Sequence, residues 1–139
     1  MSAALHPAAA LIGLPYRRGA HGPHDFDCWG LVRYYFETAL GILMPVIAVG
    51  PADADTPDNR AAIRAASAAS GWKPSGAREG REHDIVLMQS ISGAHVGVLV
   101  EADARLGLLH CVEGTGVCVQ PVADLMRQGY HGLAYWRRS

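Results

Sequence analysis

The sequence predicts an α+β fold in which N-terminal helices pack on an antiparallel β-sheet. Two observations favour this class: helical periodicity dominates the first half of the chain, and short alternating apolar runs broken by Gly, Ser and Asp turns dominate the second. Consecutive strands of this kind pair with one another, and the helices then cover an apolar face of the sheet. With 139 residues, 50% of them hydrophobic, the chain suits one globular domain.

The clearest helix signal runs from Cys28 to Leu40. Asp27 before it is a typical N-cap residue, and Gly41 after it is a typical terminator. Counted from Cys28, apolar residues recur at the three-and-four spacing of one buried face, namely Leu31, Val32, Tyr35, Phe36 and Ala39. Cys28 is then the first helical residue, where unpaired backbone N–H groups and the helix dipole favour a thiolate over a thiol.

Three weaker helices are predicted around this one. An Ala-rich opening helix covers residues 3–12, a surface helix capped by Asp58 covers Asp58–Ser70, and a short helix covers Val122–Gln128. The connection over residues 42–57 holds three prolines and a glycine, so it is predicted to be irregular.

Five strands are predicted in the second half, at Ile85–Met88, Ala94–Glu101, Leu106–Val112, Gly116–Gln120 and Gly132–Arg137. The turn at residues 103–107 makes the second and third of these a hairpin. Strand alternation then lets His95 and His110 share a face of that hairpin. Gly97, two positions after His95, is interpreted as leaving space over the imidazole for a helix end or a substrate.

The three cysteines contain no C-x-x-C pair, so they indicate neither a disulfide framework nor a standard zinc site. An odd count fits a reducing compartment. Cys111 and Cys118 are interpreted as buried thiols on strands. Cys28 has two interpretations: a small hydrophobe packed in the core, as most free cysteines are, or a nucleophile at a capped helix start that needs a base.

The two strand histidines are the candidate bases. His95 would take the thiol proton of Cys28, or hold the thiolate as an ion pair, and later protonate the leaving amine. His110 would bind the far ring nitrogen of His95 and fix its tautomer, and a backbone N–H at the helix start would stabilise the oxyanion. The alternative is that each histidine satisfies only a buried hydrogen bond.

A metal site is not expected. His21, His24 and Cys28, completed by His95 or His110, match no standard zinc spacing, and no cofactor is predicted. His6, His83 and His131 are interpreted as ordinary surface or turn residues.

The chain also lacks the marks of nucleic-acid or membrane partners. Lys and Arg number 12 against 13 acidic residues, and no basic stripe alternates with aromatic residues, so nucleic acid is not expected as a partner. No signal peptide and no transmembrane helix are predicted, so we expect cytoplasmic synthesis and no membrane partner.

Segments spread along the chain resemble, in order, the motifs of the NlpC/P60 cysteine peptidases. They are Leu14-Pro15-Tyr16, the glycine-rich loop after it, Phe26 through Val32, His83 through Met88, Ala94 through Val98, and Leu109-His110-Cys111. The Asp-Cys-x-Gly-Leu-Val block is moderately specific, and it becomes a strong signature together with His-Val-Gly and a following strand histidine. The resemblance covers the chain from about Gly13 to the C-terminus.

This resemblance implies a papain-like fold, a single catalytic domain over residues 1–139, and a triad of Cys28, His95 and His110. The implied activity is that of a cysteine endopeptidase that hydrolyses the stem peptides of peptidoglycan, commonly next to D-glutamate and diaminopimelate. It also implies supporting or substrate-binding roles for three further residues: Tyr16 beside Cys28, Asp27 at the helix start, and Trp29.

The form Asp-Cys-Trp-Gly-Leu-Val-Arg, with Gly41 and Pro45 downstream, is similar to stand-alone members encoded by tailed bacteriophages and prophages. That similarity implies a tail-assembly or tail-tip protein, with other tail proteins as partners. It also implies action at the bacterial cell wall after delivery by a virion, which would account for the missing signal peptide.

The sequence departs from the family pattern in two ways. His83 stands where members usually have a glycine before Asp84, and no accessory wall-binding domain is recognised. Two alternative functions stay open: a non-catalytic structural tail-assembly protein, and an amidase or acyltransferase on the same fold. An acyltransferase would need a lipid or acyl-donor surface, and no amphipathic membrane helix is seen to supply one.

Overall fold

The computed structural model of the chain describes residues 6–46, 57–91, 93–102 and 104–138. In these ranges a 3-10 helix (Pro7–Leu11) is followed by α1 (Cys28–Leu40) and α2 (Pro57–Ala69). The elements after them are β1 (Trp72–Pro74), β2 (Ile85–Ser90), β3 (Gly93–Ala102), β4 (Arg105–Val112), β5 (Gly116–Pro121), α3 (Val122–Arg127) and β6 (His131–Arg138). The predicted α+β fold, with helices first and strands later, is confirmed.

All six strands form one antiparallel sheet in the order β1-β6-β2-β3-β4-β5. From β2 to β5 the chain runs as a meander, whereas β6 returns to lie between β2 and β1. The short strand β1 was missed in the sequence because its three residues end in Pro74, which reads as part of a turn. Its pairing with β6 is a contact between distant parts of the chain, which local pattern does not reveal.

Strand alternation divides the apolar residues between two faces of the sheet. One face packs against α1 in a cluster that includes Leu31, Phe36, Val96, Val98, Leu109 and Cys111. The other face forms a smaller cluster covered by α3, with Val86, Met88, Leu99, Leu108 and Leu125. The predicted packing of the Cys28 helix on the sheet is therefore confirmed.

The ends of α1 are those predicted. The Asp27 side chain accepts a hydrogen bond of 2.6 Å from the N–H of Gly30, and Gly41 adopts a left-handed conformation with φ of 68°. Gly30 is needed at its position because a Cβ atom there would overlap the carbonyl oxygen of Ala20. The loop that precedes Cys28 thus lies directly against the first turn of the helix.

The other helices differ in detail from the prediction. The opening helix is a 3-10 helix that begins at Pro7 with His6 as its N-cap, and residues 3–5 lie outside the described ranges. The second helix runs over Pro57–Ala69 and so includes Asp58, and Ile63 is buried as expected. Residues 42–46 are irregular as predicted, and residues 47–56 lie outside the described ranges.

The described helices are short. The two longest, α1 and α2, have 13 residues each, and within the described ranges no helix has the length and apolar character needed to cross a bilayer.

A pair of leucines on α1 tests the assignment of its buried face. Leu31 is fully buried, whereas Leu40 at the end of the same helix is 41% exposed. We expect Leu31→Ala to lower the free energy of unfolding by about 2–5 kcal/mol because it leaves a cavity in the core. Leu40→Ala is the matched control and should change it by about 0.5 kcal/mol or less. Equal losses in urea unfolding would contradict this orientation of α1.

Candidate active site

Cys28 lies at the first position of α1 and borders a cavity of about 260 Å³. The side chain is only 7% exposed, so the cavity is its route to solvent. The residues that line this space, called here the Cys28 cavity, are Tyr16, Cys28, Ser90, His95, Cys111, Val112, Glu113 and Tyr130. Cys28 and His95 therefore face one space, although they are far apart in sequence.

Asp27 is buried directly before the cysteine and caps the helix through the N–H of Gly30. Burial raises the pKa of the Asp27 carboxyl, while the hydrogen bond from Gly30 and the nearby His21 act to lower it. The backbone N–H of Asp27 also donates to the carbonyl oxygen of Ala20 at 3.0 Å. Side chain and backbone together hold the residue that precedes Cys28 in one conformation.

His95 and His110 are hydrogen-bonded to each other across the β3–β4 hairpin. Nε2 of His95 lies 2.9 Å from Nδ1 of His110, and the two side chains are 7% and 0% exposed. The hairpin register, with Val98 opposite Leu109, places both histidines on the same face of the sheet. The predicted hairpin and the predicted neighbourhood of the two imidazoles are confirmed.

Gln120 on β5 extends this chain of hydrogen bonds and was not singled out in the sequence. Its Oε1 atom lies 2.7 Å from Nε2 of His110. On β5, Cys118 pairs directly with His110, so Gln120 is the diagonal neighbour on the same face. The signal available in the sequence was a polar residue that alternates with Val117 and Val119, but it becomes specific only once the β4–β5 register is known.

The hydrogen bonds that link Gln120, His110 and His95 select one tautomer for each imidazole. The Gln120 oxygen accepts from Nε2–H of His110, which leaves Nδ1 of His110 as the acceptor for Nε2–H of His95. A neutral His95 then has its lone pair on Nδ1. That nitrogen is the one able to accept a proton.

Both histidines are neutral in the folded protein near pH 7. Burial, followed by the proximity of His110, lowers the pKa of His95 to about 3. Burial also lowers the pKa of His110, although its hydrogen bond to Gln120 opposes the shift. A neutral His95 is a proton acceptor, whereas an imidazolium could only donate.

Aromatic side chains border the histidines. The ring centre of Tyr130 lies 5.1 Å from that of His95 and 5.9 Å from that of His110. Tyr16 lines the Cys28 cavity, where the resemblance placed it. Trp29 is buried in the core, and its ring N–H donates to the carbonyl oxygen of Pro45 at 2.9 Å. Trp29 thus contacts the segment after α1.

The other two cysteines are on strands as predicted. Cys111 is buried and donates to the carbonyl oxygen of Phe26 at 3.3 Å, whereas Cys118 is half-buried. Burial, with smaller effects from Asp27 and Cys118, raises the pKa of Cys111 to about 12, so this thiol stays protonated. Burial also raises the pKa of Cys118.

The interpretation of Gly97 made from the sequence is wrong. A Cβ atom on Gly97 would lie 2.8 Å from Cδ1 of Leu108 and 2.7 Å from the carbonyl oxygen of Leu109, so strand β4 fills the space assigned to a helix end or substrate. His83 lies in the turn before β2, as predicted, and both His6 and His83 are half-buried and form a cluster with Glu82.

One cluster of potential metal ligands lies within the described ranges. The group of three or more His, Cys, Asp or Glu side chains found there consists of His6, Glu82 and His83. His21 and His24 are exposed in the loop before α1 and belong to no such group in that part of the chain.

Two solved structures share the fold of this chain. Among solved structures, the NlpC/p60 domain of the peptidoglycan hydrolase SagA is 23% identical, with a TM-score of 0.56 over 93% of this chain and 92% of that one. An N-acetylmuramoyl-L-alanine amidase from Bacteroides uniformis is 16% identical, with a TM-score of 0.52 over 94% of this chain and 96% of that one. At these identities the two structures show a shared fold.

A curated relative and a family model complete the comparison. The Gamma-DL-glutamyl hydrolase of Bacillus subtilis is 51% identical over 39 residues, which are 27% of this chain and 9% of that enzyme. The match thus spans less than a tenth of the enzyme's length. The model of the NlpC/P60 family matches residues 13–133, which include the Cys28 cavity and the chain of histidines. The chain belongs to the NlpC/P60 family.

Proposed function

We propose that this protein is a cysteine peptidase that hydrolyses the stem peptides of peptidoglycan. The observation that carries the proposal is the joint position, on one cavity, of Cys28 at a capped helix start and of His95, whose imidazole is held by a hydrogen bond to His110. The names of the relatives support the substrate, since they describe a peptidoglycan hydrolase, an N-acetylmuramoyl-L-alanine amidase and a gamma-DL-glutamyl hydrolase. Family membership supports hydrolysis as the reaction class.

In the proposed reaction the Cys28 thiol attacks the carbonyl carbon of the scissile amide while Nδ1 of His95 takes its proton. The oxyanion that forms lies near the first turn of α1, where backbone N–H groups lack helical partners and stabilise negative charge. The protonated His95 then gives its proton to the leaving amine. Water hydrolyses the resulting thioester, with His95 again as the base.

His110 and Gln120 would act through His95 rather than on the substrate. When His95 becomes positively charged, its Nε2–H still donates to Nδ1 of His110, and that bond strengthens. Gln120 keeps Nδ1 of His110 unprotonated because its own oxygen occupies the Nε2–H. We assign these two residues positioning roles, and we assign Tyr16, Asp27 and Trp29 the supporting roles implied by the family resemblance.

The cavity also carries groups suited to a polar peptide. Ser90, Glu113 and Tyr130 line it together with Tyr16, and they offer hydroxyl and carboxylate groups beside the cysteine. Stem peptides carry free carboxylates and amines, so hydrogen-bonding groups of this kind fit them better than an apolar pocket would.

We further propose that the protein acts at the bacterial cell wall as a component of a phage or prophage tail, with residues 1–139 as one catalytic domain. This part of the proposal rests on the resemblance of residues 27–33 to stand-alone tail-associated members. An amidase is the second candidate activity, favoured by the amidase among the structural relatives. A non-catalytic tail protein is the alternative that the next experiment excludes or supports.

The first test is mass spectrometry of purified peptidoglycan, and of defined stem peptides, after incubation with the protein. Wild type should generate new peptide termini, whereas Cys28→Ser should generate none above background because the hydroxyl is a far weaker nucleophile near neutral pH. Cys118→Ser is the matched control, since this cysteine is on β5 and does not line the Cys28 cavity, and it should retain activity.

The position of the new termini distinguishes the two candidate activities. A cut between two amino acids indicates an endopeptidase, and a cut between the sugar and the first L-alanine indicates an amidase. Equal digestion by wild type and Cys28→Ser would refute the cysteine mechanism altogether, and no digestion by either would favour the non-catalytic alternative.

Variants of Gln120 test whether its hydrogen bond to His110 fixes the tautomers needed for hydrolysis. Gln120→Leu should lower kcat about ten- to hundredfold, as is typical when an outer hydrogen-bond partner is lost, with a smaller change in KM. Gln120→Glu is the matched control, because its carboxylate still accepts from Nε2–H of His110 and should restore most of the rate. If Gln120→Leu hydrolyses stem peptides at the wild-type rate, the chain of histidines does not depend on Gln120.

The buried histidines also predict acid sensitivity. Because the folded-state pKa of His95 lies near 3, below its usual 6.5, only the unfolded chain binds this proton between those values. The free energy of unfolding should therefore fall as pH decreases from about 6.5 to about 3, by up to about 1.4 kcal/mol per pH unit for this residue. The lowered pKa of His110 adds to the loss in the same direction.

Urea unfolding at a series of pH values measures this slope. His95→Gln should show a shallower loss of stability below pH 6.5 than the wild type, since one of the two contributing groups is gone. The exposed His24→Gln variant is the control and should follow the wild type. Parallel curves for His95→Gln and the wild type would show that His95 is not held neutral by burial.

A further inference from the structure

His83 has a backbone conformation that is uncommon for residues other than glycine. Its φ angle is +72°, in the left-handed region where a side chain clashes with its own backbone and glycine is favoured. Strained residues of this kind persist where surrounding contacts compensate for them, and they concentrate at sites with a function. His83 holds this conformation in the turn before β2.

The imidazole of His83 is fixed among aromatic groups of α1. Its Nε2 lies 3.0 Å from the hydroxyl of Tyr35, and its ring centre is 5.8 Å from that of Tyr35 and 6.4 Å from that of Phe36. Tyr35 is buried and Phe36 fully so. The ring is therefore oriented by the core rather than left to rotate in solvent.

Two further polar side chains meet His83 there. Nε2 of His6 lies 2.9 Å from Oε2 of Glu82, and the ring of His6 stacks parallel to that of Tyr35 with a centroid distance of 6.1 Å. The same Glu82 oxygen accepts from the backbone N–H of Glu101 on β3. One ligand atom from each of His6, Glu82 and His83 lies within 4.8 Å of the others, and all three side chains are half-buried.

This donor set has the composition of a zinc site. Two imidazole nitrogens and one carboxylate oxygen are typical Zn²⁺ ligands, with bond lengths of about 2.0–2.2 Å. Ligand atoms around such an ion are roughly 3.3 Å apart. Here they lie within 4.8 Å of one another, so side-chain movements of about 1.5 Å or less would bring them to that spacing. The partners that orient the ligands, the Tyr35 hydroxyl and the N–H of Glu101, are of the kind that surrounds protein metal sites.

We propose that His6, Glu82 and His83 bind a divalent cation of the zinc class, which fastens the N-cap of the 3-10 helix to the turn before β2. Water would complete the coordination. The site is separate from the proposed peptidase chemistry, because these three residues do not line the Cys28 cavity.

Metal binding breaks two hydrogen bonds of His6 in this structure. One is the bond between its Nε2 and Oε2 of Glu82, because both atoms become ligands. Nδ1 of His6 accepts a hydrogen bond of 3.1 Å from the N–H of Ala8, and coordination through Nε2 moves the ring proton to Nδ1. The cap on the 3-10 helix is then lost. Metal–ligand bonds to three residues outweigh two such hydrogen bonds, so the exchange favours the bound state.

The test uses the full chain without a polyhistidine tag, carrying Cys28→Ala so that the thiol of the other site does not bind the metal. Zn²⁺ at about a hundredfold excess over its Kd should raise the unfolding temperature by roughly 10 °C. Co²⁺ should bind with a stoichiometry of one and give the visible absorption of a tetrahedral nitrogen and oxygen site. Neither readout depends on peptide hydrolysis.

Two variants identify the ligands. His83→Gly removes one ligand while its φ of +72° suits glycine, so the fold should be retained, and Glu82→Gln keeps an oxygen that accepts from Glu101. Each should weaken Zn²⁺ binding by more than the ten- to hundredfold that loss of an outer partner causes. His24→Ala on the exposed loop is the control and should bind as the parent does.

Two results would overturn the proposal. One is an unfolding temperature of the parent that does not respond to Zn²⁺, which would mean that the cluster is only a hydrogen-bonded clip. The other is a Zn²⁺ response that persists unchanged in both His83→Gly and Glu82→Gln, which would assign the ion to other residues. Loss of peptidase activity in the wild type would leave this test unaffected.

Discussion

The capped start of α1 is the constraint on which the rest of the site depends. The Asp27 side chain, directly before the helix, accepts a hydrogen bond from the N–H of Gly30 in the first turn. The N–H of Asp27 donates to the carbonyl oxygen of Ala20, so the loop and the first helical turn are fastened together. Gly30 allows this approach because any side chain there would overlap Ala20. Cys28 has little freedom between these contacts, and its place on the cavity follows from them.

The hydrogen-bonded chain of His95, His110 and Gln120 depends on a different property, the register of three neighbouring antiparallel strands. Each strand supplies one side chain, and a shift by one residue on any of them would move that side chain to the opposite face. The apolar residues on the opposite face of β3 and β4, such as Val96 and Leu109, specify this register because they are buried against α1. Core packing on one face of the sheet thereby fixes the register, and the register brings His95, His110 and Gln120 together on the other face.

The cluster of His6, Glu82 and His83 includes a departure from the family pattern, because His83 stands where a glycine is expected before Asp84. The usual glycine before Asp84 suits the positive φ found at this position, and His83 adopts the same conformation at a cost. Contacts of its ring with Tyr35 and Phe36, and the neighbouring carboxylate of Glu82, compensate for this cost. His83 does not line the Cys28 cavity, and with Glu82 it lies beside His6, the N-cap of the 3-10 helix.

The sequence by itself determined the features that arise from neighbours along the chain. These are the limits of α1, the fold class, the family, and the pairing of His95 with His110 through a short hairpin, because caps, periodicity and tight turns act over a few residues. The tertiary structure alone decided which distant groups meet. It brought Gln120 to His110, Leu108 into the space beside Gly97, β1 to β6, and His6 to Glu82, because each of these contacts depends on strand register or on packing between segments far apart in sequence.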